Sequence, residues 1–297
     1  MAEVSAPSVV AARPARTRSE WRRATRTLTR NRLVLAGLIM VAGLILIAAL
    51  AGLIAPYDPI ANNVRAALQP PSSYYYFGTD RFGRDVFSRV IYGSRLTLLV
   101  AISSVAISVV IGVALGLVSG YYRGWVDNLI GRVMDVFFSF PALLLAIGVA
   151  AMLGPGLSNA IVAIAVVYAP VFGRVIRGPV LVERGKEYVE AARVIGASSP
   201  RVLLRHIFPN TLSPLIVQAT ITLSQAILTE ATLSFLGLGT QPPFPSWGTM
   251  LQESRDFLET APWTSIFPGL AIMLTVLAFN LLGDGIRDVL DPRSRGE

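Results

Sequence analysis

The chain has 297 residues, 53% of them hydrophobic and only 15% charged, with a mean hydropathy of +0.59, which is too apolar for a soluble protein of this length and points to a polytopic membrane protein. With no cysteine it has neither disulfides nor thiolate metal sites. The net charge of +8 comes from arginines that border apolar runs and do not gather on one basic face, so it reads as membrane topology and not as nucleic-acid binding.

Residues 1–32 carry eight arginines among Ala, Pro, Ser and Thr, and they read as a cytoplasmic tail. From Leu33 to Tyr57 there is no charge, a run long enough to cross a hydrocarbon core and too long for a signal-peptide core. Residues 58–95 form a polar extracytoplasmic connection, in which Phe82, Val86, Val90 and Ile91 outline a helix at the interface. The second span runs from about Leu96 to Tyr121. Along it Ser104, Ser108, Gly112, Gly116 and Gly120 recur every four residues, a stripe of small residues that predicts close helix packing in lipid.

A loop from Tyr121 to Arg132 comes next, and then Val136 to Gly173, which is free of charge and punctuated by Gly154-Pro155-Gly156. It predicts a hairpin of two spans. The fifth span is expected from about Leu212 to Leu238 and the sixth from about Ile266 to Leu282, with a proline-fixed loop at Gln241 to Gly248 between them. The core thus occupies 96–290, and 291–297 form a second cytoplasmic tail. Of the 26 basic residues, 20 fall on the side that holds both termini and the segment 183–210, which the positive-inside rule makes cytoplasmic.

That segment is a charged island between apolar runs. Tyr188, Ala191, Ala192 and Ile195 recur with helical spacing opposite Lys186, Glu187, Glu190 and Arg193, which predicts a short amphipathic helix. Gly196 supplies its left-handed cap, Ser199-Pro200 starts a second helix, and Pro209 is expected to stop it. The one lysine, Lys186, is followed by Glu187, so the chain has no lysine-containing phosphate loop. The single histidine, His206, excludes a paired-histidine metal site. Glu230 lies within an apolar span, where a carboxylate must face protein or a water-filled cavity, or be protonated. We expect it to act as a structural hydrogen-bonding group.

Four strings carry a family resemblance. Glu190-Ala191-Ala192, then Gly196, then His206-Ile207-Phe208-Pro209-Asn210 resembles the coupling loop of ABC importer membrane subunits, E-A-A-x3-G-x9-I-x-L-P, in the form of the peptide and nickel branch. F-G-T-D-x-x-G-R-D-x-x-S-R from Phe77, E-A-x-L-S-F-L-G-L-G from Glu230 and G-D-G-I-R-D-x-L-D-P-R from Gly283 are similar to further segments of the dipeptide and oligopeptide permeases. The resemblance implies an all-α membrane protein of about six transmembrane helices with the type I ABC importer permease fold, serving as the C-type subunit of an importer of dipeptides or oligopeptides. It also implies that Glu190, Ala191, Ala192, Gly196, Ile207 and Pro209 couple the chain to an ATPase. The implied partners are a B-type permease, two ATPase subunits that bind ATP and Mg, and an extracytoplasmic peptide-binding protein in the cell membrane. The chain itself would bind no cofactor and catalyse no reaction. Nickel, glutathione or haem remain alternative cargoes; a self-sufficient secondary transporter and a membrane-embedded enzyme are the rival classes.

Overall fold

The computed structural model describes residues 32–290; the two tails expected at 1–32 and 291–297 lie outside the described residues, apart from Arg32. The elements are α1 (Arg32–Ala49) with its short continuation α2 (Ala51–Ile54), α3 (Val86–Tyr122), α4 (Gly124–Phe138), α5 (Ala142–Leu153), α6 (Leu157–Arg184), α7 (Glu187–Val194), α8 (Leu212–Phe235), α9 (Trp247–Ser254) and α10 (Trp263–Leu290). Among the described residues β pairing is confined to one antiparallel bridge, Thr79 to Asp85.

Among the described residues four helices are long and apolar enough to cross a membrane: α3, α6, the continuous path Ser199–Phe235 and α10. The pair α4 and α5, bent by 92°, forms a fifth candidate, and the shorter apolar helix α1, continued by α2, lies where the first span is expected. Three boundaries differ from the sequence reading. No separate interfacial helix precedes the second span, because Asp85 caps α3 by accepting from the Ser88 backbone N–H at 2.8 Å, so α3 begins at Val86. The loop expected up to Arg132 shrinks to Arg123 at φ +57° and Gly124 at φ +60°. The third span is therefore helical from Gly124 and breaks at Ser139-Phe140-Pro141, where the proline starts a new helix instead of continuing the old one.

The core is built on α3 against α6, the most extensive contact in the fold. Ser108 Oγ donates to the Ala165 carbonyl at 2.9 Å. Below it, a Cβ placed on Gly112 would fall 2.3 Å from the Ala169 carbonyl oxygen, one on Gly116 2.4 Å from that of Gly173, and one on Gly120 2.8 Å from Val180 Cγ1. Ser104, Ser108, Gly112, Gly116 and Gly120 are all buried along this seam. The backbones meet directly, an approach that only glycine permits.

The bundle has two distinct ends. At one, the 55–85 connection folds over α10, Trp263 Nε1 donating to the Thr79 carbonyl at 3.1 Å, and α9 is tied to α3 by Trp247 Nε1, which donates to the Val90 carbonyl at 2.9 Å. Arg84 and Arg89, both nearly inaccessible, converge there on Glu253 at 2.6 and 3.0 Å, with Arg84 also on Asp80 at 2.6 Å. Two guanidinium groups and two carboxylates thus neutralise one another in a buried cluster. At the other end, Arg177 grips Asp127 through two bonds of 2.6 Å, clamping α4 to α6.

Candidate functional site: the hairpin between α6 and α8

α7 forms because Glu187 and Glu190 sit in its first turn and Arg193 in its last, each complementing the helix dipole. It ends in a Schellman motif. Gly196 N–H donates to the Arg193 carbonyl at 2.9 Å and Ala197 N–H to that of Ala192 at 3.0 Å, with Gly196 at φ +84°. Ser198, one residue earlier than expected, occupies the next N-cap position, and Ser199-Pro200 open the following turn.

Pro209 does not stop the helix. A widened turn over Val202–Ile207, in which Phe208 N–H reaches back five residues to the Leu203 carbonyl, and a tight turn over Phe208–Thr211 lead straight into α8. The misfit of a proline that lacks an N–H is absorbed by local over- and underwinding.

The buried face of α7 is also not the expected one. Val189 and Ala192 join Val202, Leu203 and Ile207 in the core, whereas Ala191 is exposed and Ile195 is 84% exposed. The turn into Gly196 swings the last periodic position out, so the hairpin tip presents Val194 (87% exposed) and Ile195, with Leu204 exposed nearby. Helical spacing alone could not show this, because where the helix ends decides what the final apolar residues meet. Of the residues singled out from the sequence, Glu190, Ala191, Gly196 and Pro209 lie on the surface, and Ala192 and Ile207 lie inside.

The base of the hairpin is knotted by Tyr188. Its hydroxyl donates to the Glu183 carboxylate and lies 3.3 Å from the His206 carbonyl, and it accepts from Asn210 Nδ2 at 3.2 Å. Lys186 pairs with the other oxygen of Glu183. Burial and the Glu183 charge push the Tyr188 phenol up to about 12, so it remains a neutral donor at any physiological pH. His206 contributes its carbonyl to this knot, also accepting from Asn210 Nδ2 at 2.8 Å.

Glu230, far from the hairpin on α8, is fully buried and faces protein. Ser234 Oγ donates to its Oε1 at 2.8 Å and itself accepts from the Thr240 backbone N–H at 3.1 Å. The Thr97 and Ser246 hydroxyls are its other polar neighbours. Through Ser234 the carboxyl is tied to the 236–246 loop, while its Oε2 and the Thr97 hydroxyl of α3 make no hydrogen bond among the described residues.

The family model described as the binding-protein-dependent transport system inner membrane component matches residues 112–296, well over half of the chain. The chain belongs to this family. It is a membrane transport permease and not an enzyme subunit. A second model, the N-terminal transmembrane domain of oligopeptide transport permease C, matches residues 19–71. The dipeptide transport system permease protein DppC of Alkalihalophilus pseudofirmus is 48% identical over 93% of this chain and 91% of its own. The glutathione transport system permease protein GsiD of Escherichia coli is 46% identical over 96% and 94%, and a putative peptide transport system permease protein of Brucella abortus is 45% identical over 92% of each chain. In fold, the chain resembles the inward-facing MetNI methionine ABC transporter, with a TM-score of 0.56 at 21% identity over 69% of this chain and 97% of that one.

Proposed function

We propose that this permease forms half of the translocation path of an ATP-driven importer of dipeptides or short oligopeptides, paired with a B-type permease and fed by an external binding protein. The cargo reading rests on the dipeptide permease relative, 48% identical over nearly the whole chain. Glutathione, itself a tripeptide, is the alternative cargo within the same family, the glutathione permease being 46% identical. ATP and Mg belong to two partner ATPase subunits. Both termini and the hairpin lie in the cytoplasm, in line with the arginine excess on that side.

The observation that carries the coupling role is the solvent-facing apolar tip at Val194 and Ile195, held out on a buried base. Apolar side chains this exposed, with a rigid turn behind them, suit insertion into a groove of another protein. Ile195→Asp alters the tip alone, whereas Ala192→Arg places a charge in the hairpin's own core and does not separate docking from folding. Ile195→Asp is expected to insert, melt and pair with the second permease as wild type does, yet lose its ATPase subunits or cut substrate-stimulated ATP turnover at least tenfold. Gly196→Val, strained at φ +84°, should melt lower but lose the same coupling. Normal ATPase stoichiometry and normal stimulation in both variants would refute the coupling role. Stimulation by binding protein loaded with dipeptide, against protein loaded with glutathione, separates the two cargoes. Uptake driven by an ion gradient in the absence of ATP would favour a secondary transporter.

A further inference from the structure

An open cavity of about 610 Å³ lies where the first span ends and α3 begins, at the end of the bundle that carries the 55–85 connection. Its size falls in the range of small-molecule sites. Arg95 of α3 lines it and is held in place by its neighbours: Nε donates to the Ala48 carbonyl at 2.5 Å and Nη2 to that of Ala49 at 2.8 Å, the open carbonyls at the end of α1. Its guanidinium carbon stands 5.2 Å from the Tyr92 ring centroid. These bonds leave Nη1 for another acceptor, and among the described residues no carboxylate pairs with Arg95.

Asp58 lines the same cavity. Its Oδ1 accepts from the Ile60 backbone N–H at 2.8 Å, which fixes the carboxylate and leaves Oδ2 free. Asp58 and Arg95 therefore face one space with opposite charges yet do not pair with each other. Tyr57, Tyr92 and Phe244 complete the wall, aromatic side chains of the kind that settle at the membrane boundary. Gly52 and Leu96 extend the lining along the apolar helices.

We propose that this cavity binds the headgroup of a zwitterionic membrane lipid with a primary ammonium, a phosphatidylethanolamine, its phosphate on Arg95 and its ammonium on Asp58. A separated cation and anion complement a group that carries both charges a few bonds apart. The free carboxylate oxygen favours a primary ammonium, which has three N–H donors, over a quaternary one, which has none. The apolar floor favours a lipid over a free zwitterion from solution.

The test uses the full chain with the subunits that co-purify, reconstituted in nanodiscs of equal phosphatidylethanolamine and phosphatidylcholine and then analysed by native mass spectrometry. Phosphatidylethanolamine should be retained at least fivefold over phosphatidylcholine. Arg95→Gln should lose both lipids, but it also uncaps α1; Asp58→Asn is the deciding variant, because an asparagine still accepts from the Ile60 N–H. It should keep the wild-type melting temperature and lose the preference. Equal retention of the two lipids by wild type, or an undiminished preference in Asp58→Asn, overturns the proposal. Displacement of the retained lipid by millimolar alanyl-alanine also overturns it and assigns the cavity to a soluble zwitterion.

Discussion

Adding a single methyl group at Gly112 tests the α3–α6 seam most directly. The new Cβ would stand 2.3 Å from the Ala169 carbonyl oxygen, 2.6 Å from Phe172 Cβ and 2.9 Å from the Gly173 nitrogen. Two of these are backbone atoms, so no flexible side-chain end can give way. The helices must part by about 1 Å to restore ordinary contact, which stretches the Ser108 to Ala165 bond and loosens every layer beside it. Overpacking of this kind costs about 2–3 kcal/mol, a fall in melting temperature of roughly 5–10 °C for a chain of this size. The control is Gly148→Ala on α5, where nothing lies within 4 Å of the added Cβ and replacing a helical glycine stabilises by about 0.5–1 kcal/mol. Detergent-solubilised variants are compared by fluorescence-detected thermal melting. If Gly112→Ala melts with wild type and with Gly148→Ala, the direct backbone contact is not the basis of the packing.

Glu230→Gln should keep assembly and most transport, because the amide oxygen still accepts from Ser234, whereas Glu230→Leu removes the acceptor of the buried Ser234 hydroxyl and costs about 1–3 kcal/mol, read as lost folding yield in size-exclusion chromatography. Equal yields for the two would show that this hydrogen bond carries no weight, and a Gln variant that assembles without transporting would show that the charge itself is needed. Glu253→Ala leaves Arg84 and Arg89 buried without their shared carboxylate and should lower stability by about 3–5 kcal/mol, with Glu253→Gln intermediate; a melting temperature within a degree of wild type would mean that water already satisfies both arginines. Single cysteines on the cysteine-free chain map sidedness. Ser198→Cys should react only with reagent on the side proposed to be cytoplasmic and Ser73→Cys only with reagent on the other, both sites being exposed, unlike the buried Ser246; reversed labelling would invert the orientation.

The sequence displayed what depends on local pattern. Runs without charge marked the spans, the four-residue stripe marked the face of α3 that meets α6, and Gly196 marked a left-handed turn, because each follows from helix periodicity or from a single backbone angle. Features set by distant partners were hidden. Arg84 and Arg89 read as ordinary outer-side cations, since Glu253 lies 169 and 164 residues away from them. Pro209 carried a correct local rule, but a widened turn over Val202–Ile207 could absorb it, and the choice between stopping and bending is made by packing. The outward turn of Ile195 likewise depended on where α7 ended, whereas Val189 and Ala192 keep helical spacing on a face rotated from the expected one.

The Tyr188 knot has a mechanical meaning. One phenol joins the end of α6, through Glu183, to the entry of α8, through Asn210 and the His206 carbonyl. A force applied at the tip therefore reaches both helices together and cannot be spent on spreading the hairpin. Further along, α6 bears on α3 at Gly112, Gly116 and Gly120 through the Ala169 and Gly173 carbonyls and the short branched side chains of Ile176 and Val180, which leave little room to deform. A displacement of the tip is thus passed up the bundle with little slack, by a strut and not a spring.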